Sequence, residues 1–270
     1  MEGEKRSPRG RRASLPSKDI APLLEGWDYE PGALNVRKIV GVDGRPKLQM
    51  RLDLGLLQME LNGRPDGRRP RGHESLLAYF EAQLEDHRRR TGGDAGFHLT
   101  PADCQALREE AVMYYHRYLS LFVLEEFQGV LRDTARNLRV LDLCAQFAVD
   151  NHDRLVLEQY RPYLLMMNAR ARASLCWKAG DLDAALRAAR RGLRRIREFF
   201  ERINRPDAYK RCQEARALWA FAREIKKLLP VDPVQQLRSQ LQRAVREERY
   251  EDAAQLRDQL EQIKPGLGKA

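Results

Sequence analysis

Between residues 74 and 229 the apolar side chains recur every three to four positions, and only residues 36–61 alternate residue by residue. The first spacing belongs to helices with one buried stripe, the second to strands. That switch limits the chain to a mainly α fold: a helical body, a small β-hairpin element near the N-terminus, and an antiparallel helical hairpin at the C-terminus. Composition agrees. Aromatic residues make up 7% and charged residues 33%, too few rings for an all-β core. A length of 270 residues allows one large or two small domains with a real core.

The organisation follows in order. Residues 1–20 hold few large apolar groups and read as a disordered basic tail, either solubilising or a nucleic-acid arm. Residues 21–73 hold the β element and a loop. In "VRKIVGV", Val36, Lys38, Val40 and Val42 share one side, and Asp43-Gly44 suits a tight turn with positive φ. "KLQMRLDLGLLQMEL" sets Leu48, Met50, Leu52 and Leu54 on one face, with Gly55 a bulge or a strand end. A lone hairpin is barely stable in water, so that face is expected to rest on helices or another strand. The Arg/Gly/Pro loop at 62–72 either holds an anion through Arg64, Arg68, Arg69 and Arg71 or merely connects.

Residues 74–229 form the helical body. Leu76, Leu77, Phe80 and Leu84 stripe its first helix. Thr100 and Pro101 open the second as N-cap and first helical residue, with Leu107, Val112, Tyr115, Leu119 and Leu121 on its stripe. Another helix is expected from about Gln128 to Val149, with Leu131, Leu138, Leu141 and Phe147 inward. Residues 154–203 form a helix pair around Gly180-Asp181. Its second helix is expected to bury Leu182, Ala185, Leu186, Ala189, Leu193, Ile196, Phe200 and Ile203. Ala173, Gly180, Leu182 and Ala185 lie at the offsets of a tetratricopeptide unit, which the pair resembles; Cys176 stands where an aromatic is usual. A plain α-hairpin satisfies the same pattern. A last long helix reaches Leu229, and residues 230–233 are the linker, marked by Pro230 and Pro233.

Residues 234–265 read as two short antiparallel helices. Asp232 caps the first and Pro233 occupies its first turn. Leu237, Leu241, Ala244 and Val245 stripe the first helix; Ala253, Leu256, Leu260 and Ile263 stripe the second. Tyr250 is expected to plug the turn, and Pro265-Gly266 to stop the chain. Leu241, Ala244, Glu248, Tyr250, Glu251, Ala253, Ala254, Leu256, Arg257, Asp258, Leu260 and Ile263, with "YEDAAQLRD" the most specific run, closely resemble the UVR motif. That helical hairpin occurs in UvrB, UvrC, ClpC-type unfoldases and McsA-type adaptors. The resemblance implies pairing with another UVR-containing protein, or self-association through the hairpin. It implies Leu241, Val245, Tyr250, Ala253, Leu256, Leu260 and Ile263 as the apolar contact, with Glu248, Glu251, Arg257 and Asp258 setting register. Physics agrees, because two helices this short bury too little apolar area to hold themselves rigid. The helicase, nuclease, ATPase and zinc-pair signatures of those relatives do not occur in the chain, so the resemblance lends residues 1–230 no activity.

The net charge of +10 permits nucleic-acid binding as a second reading. Arg64, Arg68 and Arg69 of the loop and Arg187, Arg190, Arg191 and Arg194 of one helix are its candidates; a solvated face is the plainer account of the helix. Glu109 and His116 share a helix face, which sketches a carboxylate–imidazole relay, but no serine–histidine–acid or activated-thiol pattern accompanies them. No catalytic activity and no cofactor are expected. Cys104, Cys144, Cys176 and Cys212 are scattered, as reduced core thiols of a cytoplasmic protein would be. No metal site, membrane span or leader peptide is expected.

Overall fold

The computed structural model describes residues 19–230 and 233–263, the side chains of Pro233, Gln235 and Ile263 excepted. Residues 1–18 of the basic tail, the Asp232 cap and the Pro265-Gly266 stop lie outside the described residues.

A short helix α1 (Ala21–Leu24) leads into a three-stranded antiparallel sheet, β1 (Val36–Val40), β2 (Pro46–Leu52) and β3 (Gly55–Glu60), in that order. Asp43 and Gly44 form the first turn. Gly44 takes φ 72°, and the Asp43 carboxylate accepts from the Arg45 amide at 3.1 Å. The second strand ends sooner than the alternation suggested. The chain reverses at Asp53-Leu54, so Leu52 pairs with Gly55 and the hairpin becomes a three-strand meander. Leu54 lies at the turn tip, 90% exposed, and only Leu48 and Met50 reach the core with Met59 of β3. Arg51 fixes this reversal. Its guanidinium donates to the carbonyls of Trp27, Leu52, Asp53 and Gly55. Val40 and Val42, at the turn end of the first hairpin, are exposed.

Eight more helices build the body: α2 (Leu76–Thr91), α3 (Pro101–Val123), α4 (Phe127–Phe147), α5 (Asn151–Leu155), α6 (Arg161–Lys178), α7 (Leu182–Arg202), α8 (Pro206–Arg211) and α9 (Gln213–Leu228). Consecutive long helices pack in series, α3 on α4, α4 on α6, α6 on α7 and α7 on α9, and the sheet lies on α3 through β2. Thr100 caps α3 with a reciprocal Asp103 box, and Pro101 opens the helix. Gly180, at φ 79°, closes α6, and the Asp181 side chain accepts from the Ala184 amide at 2.7 Å to start α7.

Helix α7 buries Ala185, Ala189, Gly192, Ile196 and Phe199, a stripe spaced by four and three. Phe199 therefore turns inward where the sequence reading put Phe200, which is half-buried, and Ile203 stays exposed beyond the last turn. Gly192 is the point of closest helix approach. A Cβ there would collide with the Ala169 methyl of α6 and lie 2.8 Å from Leu218 Cδ2 of α9. We expect Gly192→Val to destabilise the body by about 1–3 kcal/mol through overpacking; urea denaturation followed by circular dichroism measures this, and an unchanged midpoint would contradict it.

The sheet, the 61–64 loop, α2, α3 and α4 meet at buried ion pairs. Asp133 of α4 accepts from Arg117 of α3 at 2.7 and 2.8 Å. Arg117 also donates to the carbonyls of Glu60 and Gly63 at 3.0 and 2.8 Å. Nearby, the Glu110 carboxylate pairs with Arg136 and Arg64 and accepts from the Leu76 amide at 2.8 Å, capping α2 from another helix. Glu110, Arg117 and Asp133 are all buried. Such pairs cost desolvation, but breaking one leaves an unmatched charge inside.

Candidate functional site

Two helices follow the body, α10 (Pro233–Arg246) and α11 (Tyr250–Ile263). They pack on each other, and among the described elements neither shares a packed face with the body. The chain turns between them at Glu248, which takes φ 57° without being glycine. The Arg249 amide then bonds the Ala244 carbonyl at 2.9 Å. Arg249 clamps the turn by pairing with Glu247 at 2.9 Å and Asp252 at 2.6 Å. A left-handed backbone strains a residue with a Cβ, so Glu248→Gly should stabilise the hairpin by about 1 kcal/mol. Slower amide exchange through residues 244–260 would show this; faster exchange would contradict it.

The seam is built from small residues. Ala244 and Ala253 are buried, which lets the helices approach, and Leu260 is buried at the far end. Leu237, Leu241 and Leu256 are half-buried. Val245 and Tyr250 are 51% and 68% exposed. Tyr250 therefore does not plug the hairpin; it starts α11 with its ring in solvent. Glu251 and Asp258 are exposed, and Arg257 donates to its neighbour Asp258 at 3.0 Å. A shallow polar cleft of about 290 Å³ lies beside the seam, with Leu256 in its lining and Gln240, Arg243 and Asp252 around it. The side chain of Ile263 lies outside the described residues.

The basic candidates separate. Arg64 turns inward to Glu110 and Asp66, so its charge is met inside the fold. Arg69 folds back toward the Gly72 carbonyl, and Arg68 is exposed. On α7, Arg187, Arg190 and Arg191 are exposed with no carboxylate partner among the described residues, while Arg194 lies 3.6 Å from Glu198. The relay at Glu109 and His116 does not form. Glu109 accepts from Gln105 at 3.0 Å, and the neighbouring Glu110 is held in the interior pairs. Burial holds His116 below the usual histidine range.

The four cysteines carry free thiols, and no cluster of three or more metal-ligating side chains occurs among the described residues. No described helix is long and apolar enough to cross a membrane.

Residues 233–264 match the family model described as the UvrB/uvrC motif. No curated protein and no solved structure matches the chain.

Proposed function

We propose that this chain is a non-enzymatic interaction protein whose UvrB/uvrC motif clasps a second helical hairpin. The partner is another chain bearing that motif or a second copy of this one. The half-covered seam carries the reading. Its small residues are closed within the hairpin, yet Val245 and Tyr250 remain exposed and Leu241 and Leu256 half-buried. Two helices of 14 residues each form a marginal unit alone. A second hairpin laid over those four side chains makes a four-helix bundle with a closed core. Glu248, Glu251, Arg257 and Asp258, at the rim, select register rather than supply affinity. Excision repair is the setting this motif suggests first, and protein quality control the other.

Affinity purification with the full chain and with a chain ending at Leu229, compared by mass spectrometry, tests the clasp. A motif-bearing protein, or the chain itself, should be retained by the full chain only. Equal recovery by both would refute the reading. Val245→Asp places a charge on the exposed contact without opening the seam. We expect capture to fall at least about tenfold, in line with a single interface anchor.

A second reading rests on α7, where Arg187, Arg190 and Arg191 present unpaired guanidinium groups to solvent. They suit contact with nucleic-acid phosphates in an accessory role. Retention in a gel-shift titration at low salt, lost steeply as salt rises, supports it; no retention at low salt removes it.

A further inference from the structure

The body holds a cleft of about 730 Å³, walled by α3 and α6 with α4 and the 156–160 segment between them. Known small-molecule sites run from roughly 300 to 1,000 Å³ and are mostly apolar with a few polar groups. Two observations mark this one as a built site.

The first is a surplus of apolar surface on α3. Val112 and Tyr115 repeat with helical spacing, and the sequence reading put them on the buried stripe. The helix instead buries Cys104, Leu107, Ala111, Tyr114, Tyr118 and Leu121. Val112 and Tyr115 stand on the neighbouring face, exposed, in the cleft wall. Across from them stands Tyr163 of α6, its ring 6.4 Å from that of Tyr115.

The second is Tyr118. It is 2% exposed, lines the cleft, and its hydroxyl has no hydrogen-bond partner among the described residues. An unpartnered phenol in the lining of an apolar cleft is a donor able to meet an acceptor there.

The charges of the lining narrow the ligand. Arg108 is paired with Asp153, so no unmatched cation of the lining awaits an anion. Glu214 accepts from the Cys212 thiol at 3.1 Å. Burial disfavours the charged form of His116 and lowers its pKa.

We propose that this cleft binds an uncharged, ring-bearing small molecule whose acceptor oxygen takes the hydrogen bond of the Tyr118 hydroxyl. Rings stack against Tyr115 and Tyr163, and Val112 closes over one edge.

Titration of the full chain with the neutral carbonyl dye 6-propionyl-2-dimethylaminonaphthalene tests this. Saturable binding with blue-shifted emission is expected. Val112→Trp fills the cleft from an exposed position; it should weaken the dye at least about tenfold and leave the melting temperature unchanged. Tyr118→Phe should weaken it about fivefold, the worth of one neutral hydrogen bond. It should not change binding of N-phenyl-1-naphthylamine, which has no carbonyl. Dye binding indifferent to Val112→Trp would overturn the site. Equal affinity of the Tyr118→Phe variant for the carbonyl dye would overturn the role of the hydroxyl. Tighter Val112-dependent binding of 8-anilinonaphthalene-1-sulfonate than of its uncharged parent would overturn the selectivity for neutral ligands. So would stronger displacement by (1-naphthylmethyl)trimethylammonium, which would make Glu214 the recognition group.

Discussion

Asp133→Ala will lower the unfolding free energy by about 3–5 kcal/mol, the largest stability loss we expect from any single change in this protein. The reason is the arginine left behind. Arg117 is buried, with its other donor bonds directed to the Glu60 and Gly63 carbonyls. Without the carboxylate its charge has no counterpart, and it cannot withdraw to water without releasing the loop. Arg132 reaches the same carboxylate at 2.9 Å but is largely solvated, so Arg132→Ala should cost less than about 1 kcal/mol. The double variant Arg117→Met with Asp133→Leu removes both charges and should recover much of the loss. Urea denaturation of the three variants decides it. If Arg132→Ala and Asp133→Ala lose equal stability, the buried pair is not the anchor between sheet and helices.

Leu260→Asp will abolish capture of the partner while the body keeps its denaturation midpoint. Leu260 is 8% exposed within the hairpin, so a carboxylate there is buried with nothing to receive it. A hairpin this small cannot absorb a penalty of several kcal/mol and will open. The body will not follow, because Ala244, Ala253 and Leu260 are separate from its continuous core cluster. Trp27 lies in the N-terminal β element and Trp177 and Trp219 in the body, so tryptophan fluorescence during denaturation reports on the chain outside the hairpin. Val245→Asp is the complement: it leaves the seam closed and removes only the outward contact. A Leu260→Asp chain that still captures its partner would mean that binding lies elsewhere. A shifted body transition would mean that the hairpin and the body fold as one unit.

Period and punctuation made much of the fold legible. The Thr100-Pro101 start of α3, the Gly180-Asp181 turn and the Pro233 start of α10 each carry a local chemical reason that no tertiary contact overrides. The hairpin was legible because its alanines sit where helices must touch. What stayed hidden was non-local. Leu52 and Leu54 continue an alternation that the chain abandons, because Arg51 draws the Leu52, Asp53 and Gly55 carbonyls around itself at the reversal. Val112 and Tyr115 look like core because periodicity detects apolar residues, not what covers them. Tyr250 reads as a plug because it is a large ring beside the turn, whereas Glu248 makes the turn with backbone and Arg249 makes it with charge. Glu110, Arg117 and Asp133 carry no local signal. Acids and arginines on a helix read as solvent-facing until the partner elements are known.

Those inward arginines have a consequence for any polyanion that approaches. Arg64, Arg117, Arg136 and Arg161 each face a carboxylate in the interior or at its edge. A formal total of +10 is thus not a map of what a phosphate chain would meet. Counterion release is counted one phosphate at a time, at cations that remain in water. Among the described residues the row Arg187, Arg190 and Arg191 is one set that fits that description, so the steepness of any ionic-strength dependence would follow the cations left in water rather than the isoelectric point.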